Sequence, residues 1–138
     1  MAEYKAPLKD MNYLLFEVFK ADNIWQSLPS LAEAVDVDTA KAILEECGKI
    51  AEQELAPLSR VGDETGVKFD NGVVTTVPGY KEAFATYAEG GWTGLGGDPE
   101  FGGMGMPKMI TSLHEEMLCS ADISFSLYTG LRCLPYLI

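Results

Sequence analysis

His114 is the only histidine in the sequence, and two acids, Glu115 and Glu116, follow it directly. One imidazole cannot build a multi-histidine metal site. Adjacent glutamates on a helix point to different faces, so they do not form an acid–base pair, and one of them should face solvent. His114 is expected to be a surface or packing residue. The three cysteines, Cys47, Cys119 and Cys133, are widely spaced and form no C-x-x-C. They read as free, mostly buried thiols of a reducing compartment, with Cys119 a buried packing residue. No G-x-S-x-G elbow and no credible Cys–His pair is present.

The other candidate for chemistry is the stretch GWTGLGGDPEFGGMGMP, residues 91–107, with seven glycines. A dinucleotide fingerprint needs G-x-G-x-x-G straight after a strand. Here Gly94 and Gly96 are followed by Pro99 in the third position, and a helix precedes. The only Gly-Lys pair, Gly48-Lys49, lies inside a helical pattern with Ile43 where a Walker loop needs its first glycine. Asp98 and Glu100 would repel a phosphate, and no ladder of calcium-binding acids is present, here or in DETGVKFDNG. The expected role is a tight inter-helix connector of Ω type, anchored by Trp92, Leu95, Phe101, Met104 and Met106.

The elements that must hold these residues are mostly helical. Asp10 is placed to cap a first helix bearing Leu14, Leu15, Val18 and Phe19, closed by Asp22-Asn23, and SLPSLAEA reads as a short helix or turn. From Asp36 or Asp38, residues 38–60 form an amphipathic helix. Ile43, Cys47, Ile50 and Glu54 fall on one side with Leu44, Ala51, Leu55 and Leu58 beside them, and Glu45, Glu46, Lys49 and Glu52 occupy the solvated arc. The pattern breaks from Gly62 to Pro78, where Asn71-Gly72 and VVTTV predict an extended loop with a short strand pair. A helix launched by Pro78-Gly79 runs through Phe84 and Tyr87 to Gly90-Gly91. Another starts with Pro107 in its first turn and carries Ile110, Leu113 and Met117 to about residue 121, and Asp122 caps a last one. The expected fold is all-α, a bundle of about five helices with a glycine-rich inter-helix loop.

Composition narrows the partners. The 138 residues are 47% apolar, enough for one domain with a core. Twenty-one acids against ten Lys plus Arg argue against nucleic acid or an anionic membrane. No secretory or membrane-spanning stretch is visible, so a cytoplasmic location is expected. The sequence ends on LPYLI, without charge or cap, a terminus expected to be covered by further chain or by a partner.

Taken in order, the segments resemble the N-terminal helical domain of the acyl-CoA dehydrogenases. YKAPLKDMNYLLFEVF resembles the N-terminal extension of a larger bacterial branch, which includes methylthiopropanoyl-CoA dehydrogenase-like enzymes. GWTGLGGDPEFGGMGMP resembles the family's G(L/W)xGLxxPxxxGGxG loop, and HEEMLCSADISFSLYTGL the helix pair after it. The resemblance implies an extension over residues 1–35 and an N-terminal dehydrogenase-like domain over 36–138, truncated at its C-terminal end. It implies that FAD and the glutamate base belong to later domains, so no flavin and no dehydrogenase activity are expected of this chain alone. It implies acyl-CoA as substrate, a homo-oligomer, and an acyl-pocket wall around Phe125, Ser126 and Thr129. With Asp122 and Cys133 those three also share one helical stripe, which ordinary interhelical packing would equally explain. The rival reading is a stand-alone acidic helical module that self-associates or binds a protein partner.

Overall fold

The computed structural model describes residues 3–130, and these form an all-α bundle with one small hairpin. Helix α1 (Leu8–Asn12) passes into a wider turn over Tyr13–Val18. The short helices α2 (Ala21–Gln26) and α3 (Pro29–Ala32) follow. The central rod is α4 (Val37–Lys49), a second wide-turned segment Ile50–Leu55, and α5 (Ala56–Thr65). Strands β1 (Lys68–Asp70) and β2 (Val73–Thr75) pair antiparallel, with Phe69 opposite Val74. Helices α6 (Tyr80–Glu89), α7 (Lys108–Ala121) and α8 (Ile123–Gly130) complete the described fold.

The rod forms because its periodicity and its cap agree. The Asp36 carboxylate accepts the Thr39 amide at 2.7 Å, satisfying an orphan donor of the first turn. Ala40, Leu44, Cys47, Ala51 and Leu55 then fall on one buried face. Against it lies α7, whose Ile110, His114, Met117, Leu118 and Ala121 repeat at three and four residues and are also buried. Burial pushes the Cys47 thiol up to about 12, so this cysteine is inert packing.

Several boundaries differ from the sequence expectation. The rod does not stop at 60 but continues to Thr65, with Gly62 inside it. A methyl group at Gly62 would sit 2.7 Å from the Tyr80 hydroxyl, so close packing offsets a helical glycine's penalty of about 1 kcal/mol. The first helix starts at Leu8, not after Asp10. The Pro7 carbonyl accepts the Asp10 and Met11 amides, and Asp10 lies within the first turn. Asp22-Asn23 does not end that helix; it belongs to the first turn of α2. Phe19 donates to the Leu14 carbonyl five residues back, and this wider turn rotates Leu14, Val18 and Phe19 toward solvent while Leu15 stays buried. Pro107 sits one residue before α7 rather than in its first turn.

The N-terminal strap is tied to the rod. Glu52, in the rod's wide-turned segment, accepts the Ala6 amide at 2.8 Å and pairs with the Lys5 ammonium at 3.4 Å. Gly48 lets the strap lie close, since a methyl there would meet the Ala6 methyl at 3.2 Å. Met11, Leu15 and Trp25 enter the same core as Leu44 and Met117.

Candidate functional site

The glycine-rich stretch folds back on itself. Met104 donates to Gly94, Gly105 to Gly97 and Met106 to Leu95, all at 2.8–3.0 Å, which draws 94–97 against 103–106. Gly97 and Gly103 touch so closely that a methyl on Gly103 would fall 2.1 Å from the Gly97 backbone. Leu95 is buried and Trp92 and Met106 pack on the core, as expected of anchors; Phe101 is exposed, and Met104, also exposed, lays its methyl over Gly91 of the same loop and not on the core. The loop does not fit a dinucleotide's pyrophosphate. The amides of Gly97, Gly103, Met104, Gly105 and Met106 are all spent on loop carbonyls, and Asp98 accepts from Glu100.

His114 is a packing residue held beneath this loop. Its ring lies near-parallel to Tyr87 at 5.8 Å and to Trp92 at 6.0 Å, both within 20°. Its Nε2 lies 3.0 Å from the Tyr87 hydroxyl. Burial lowers its pKa to about 4, so the ring is neutral at ordinary pH. Glu115 and Glu116 are both exposed. Among the described residues no three His, Cys, Asp or Glu side chains cluster to hold a metal.

The polar centre of the molecule lies instead at the start of α8. Asp122 is 3% exposed and caps that helix by accepting the Phe125 amide at 3.0 Å. Its second oxygen accepts the Tyr80 hydroxyl at 2.6 Å, tying α6 to α8. Burial, then the bond to Asp122, raises the Tyr80 pKa, so the phenol stays protonated and donates. The expected cap is therefore present, and it carries a buried partner that periodicity could not reveal.

A groove of about 540 Å³ opens above this pair. It is lined by Gly62, Gly66, Val67, Val77, Tyr80, Ser124, Leu127 and Tyr128. Phe125 turns the other way, into the core, with its ring edge-on to Tyr80 at 6.0 Å and Tyr87 at 5.8 Å. Ser126 and Thr129 sit together, half-buried, on the stripe with Asp122 and Phe125. The Ser126 hydroxyl donates to the Ile123 carbonyl at 2.7 Å, and the Thr129 hydroxyl to the Ser126 carbonyl at 2.9 Å. Cys119 is exposed rather than buried. Its thiol donates to the Ser126 oxygen at 3.4 Å, because position 119 lies off the buried stripe of α7. Cys133 lies outside the described residues.

The groove's lining is not legible in the sequence, because its residues come from three helices, α5, α6 and α8, and from the connector between α5 and α6. The break in periodicity at Gly62 reads as the start of a loop, and Tyr80 and Tyr128 have nothing in their spacing to connect them. The Pro78-Gly79 turn was the one local signal, since it sets where α6, and hence Tyr80, begins.

The family described as acyl-CoA dehydrogenase, N-terminal domain, matches residues 37–136. A 3-methylmercaptopropionyl-CoA dehydrogenase of Ruegeria pomeroyi is 36% identical over 124 residues, 90% of this chain. A broad-specificity linear acyl-CoA dehydrogenase of Mycobacterium tuberculosis is 32% identical over 133 residues, 94% of this chain. The chain spans only 21% of the length of either relative. The match begins with the capped rod, and it takes in the self-bonded glycine loop and the Asp122-capped helix. By that match the chain belongs to the acyl-CoA dehydrogenase family, within the family's N-terminal domain.

Proposed function

We propose that this chain works as the N-terminal domain of an FAD-dependent acyl-CoA dehydrogenase, one that introduces a double bond between Cα and Cβ of an acyl-CoA thioester. The supporting observation is the family match over residues 37–136, reinforced by relatives named for acyl-CoA dehydrogenation. Residues 1–35 form an extension and 36–138 the domain proper. FAD and the catalytic base are supplied by the remaining domains, so the chain alone binds no flavin and does not turn over. The assembled enzyme is a cytoplasmic homo-oligomer.

In this reading Phe125, Ser126 and Thr129 wall the acyl pocket. Phe125 stiffens the wall from behind through its contacts with Tyr80 and Tyr87. Ser126 and Thr129 have their hydroxyls engaged by backbone carbonyls, which leaves mainly carbon to offer an apolar tail. Such a wall supplies area and shape rather than chemistry.

The test grafts this chain in place of the matching segment of the Ruegeria pomeroyi relative. Flavin content and acyl-CoA-dependent dye reduction are then measured. A yellow chimera that reduces dye is expected, and Ser126→Trp in it should raise KM for the acyl-CoA about tenfold with flavin content unchanged. A folded, flavin-loaded chimera that oxidises no acyl-CoA would overturn the reading. So would stoichiometric flavin on the isolated chain. A dead chimera beside a self-associating chain would favour an acidic interaction module.

A further inference from the structure

All six residues of β1 and β2 are exposed, with Phe69 73% exposed. A two-stranded hairpin without a buried face is marginal in water. The two turn residues are Asn71 at φ 47° and Gly72 at φ 84°, a type I′ turn, so Asp70 and Val73 form the closing hydrogen-bonded pair. Alternation then points the amide and carbonyl of Phe69 away from β2, onto the free edge of β1. Among the described residues Phe69 makes no backbone hydrogen bond outside the hairpin. Such an edge is a template for another strand.

We propose that the β1 edge docks a second copy of this chain, antiparallel, with the two-fold axis passing between the two Phe69 residues. Charge selects this occupant and this register. At a net charge of −11, two copies repel, and a contact between them must be locally neutral. Lys68-Phe69-Asp70 is neutral and self-complementary when run antiparallel against itself. Lys68 faces Asp70 of the second copy, Asp70 faces its Lys68, and the two Phe69 residues exchange amide–carbonyl bonds across the axis. The product is a four-stranded sheet in which Val74, Phe69 and their counterparts share one face, so a continuous apolar row replaces two separate exposed pairs.

The other edges are poorer choices. Val73-Val74-Thr75 carries no charge to set a register. Pairing β1 with β2 of another copy is head-to-tail and leaves an open edge at each end, which leads to a filament and not a closed dimer.

The inference rests on self-association of this chain, the alternative set beside the acyl-CoA reading above, and is independent of that reading. Sedimentation of the full chain over a wide concentration range should show a monomer–dimer equilibrium. Lys68→Glu and Asp70→Lys each place like charges opposite one another twice per dimer, and each should weaken dimerisation about tenfold. The double variant Lys68→Glu/Asp70→Lys restores opposite charges and should return to within about threefold of the parent. Hydrogen exchange at the Phe69 amide should slow as concentration rises. A chain monomeric throughout ends both the self-association and the strand pairing. A dimer indifferent to charge at 68 and 70, or a double variant no better than the singles, ends the strand pairing alone.

Discussion

The two connectors on either side of α6 both place glycines at positive φ, but only the first also uses them to bring backbones into contact. Residues 90–107 are drawn inward: 94–97 bond to 103–106, Leu95 is buried, and Trp92 covers His114. Residues 66–79 reach outward as a hairpin whose strand residues are all exposed. In the first connector glycine removes side chains so that backbones can touch, as at Gly97 and Gly103. In the second it supplies a positive φ, as at Gly72, where a methyl would meet nothing within 4 Å. Composition alone does not separate these uses; surroundings do.

The contrast is breakable by substitution. Gly103→Ala should have the largest effect, about 3 to 4 kcal/mol in urea unfolding, because the methyl meets immovable backbone. A loss under 1 kcal/mol would mean that the two loop arms are not in contact.

The His114 seat beneath the same loop predicts a pH dependence. Its folded pKa, about 4, lies below the unfolded value of about 6.5. The unfolded chain therefore takes up the proton first as pH falls. Stability complete above pH 6.5 is lost progressively down to about pH 4, amounting to about 3 kcal/mol. His114→Phe keeps the stack and should flatten that part of the profile, as read by urea unfolding at a series of pH values. An unchanged slope would show the ring to be solvated.

Tyr80→Phe should cost about 2 kcal/mol, because it leaves a buried Asp122 oxygen without its donor. Asp122 still caps α8 in that variant, so helix content by circular dichroism should hold while the melting temperature drops.

In the outward connector the effects should be small. Gly72→Ala forces an alanine to φ 84° and should cost about 1 kcal/mol, felt locally as hairpin fraying by NMR. Val74→Ser should change the stability of the monomer by no more than about 0.5 kcal/mol. A large loss there would mean that the hairpin has a buried face after all.

Much of the bundle was legible because local physics decides it. The rod has a cap, a periodic apolar face and a charged arc, and α7 has the same periodicity. The hairpin has Asn-Gly between β-formers. These signals act over a few residues and need no tertiary context. The misread positions share another property. Gly62 reads as a break in the helix, yet Tyr80 needs its space; Phe101 and Met104 read as anchors, yet Phe101 is left exposed and Met104 covers only Gly91 of its own loop. Cys119 looked buried by type alone and lay just off the inner stripe.

By itself, the sequence determined the helical class, the cap at Asp122 and the turn at Asn71-Gly72, while it left the rod's cap open between Asp36 and Asp38. It also carried the spacing that rules the glycine stretch out as a phosphate loop. Each depends on contacts within about four residues, or on backbone preferences that travel with the residue. Tertiary structure alone decided that Tyr80 would find Asp122 forty-two residues away, that Tyr87 and Trp92 would enclose His114, and that one connector would be sealed while the other was left open. Those outcomes depend on which helix faces which across the core, and no local pattern in the chain encodes that distance.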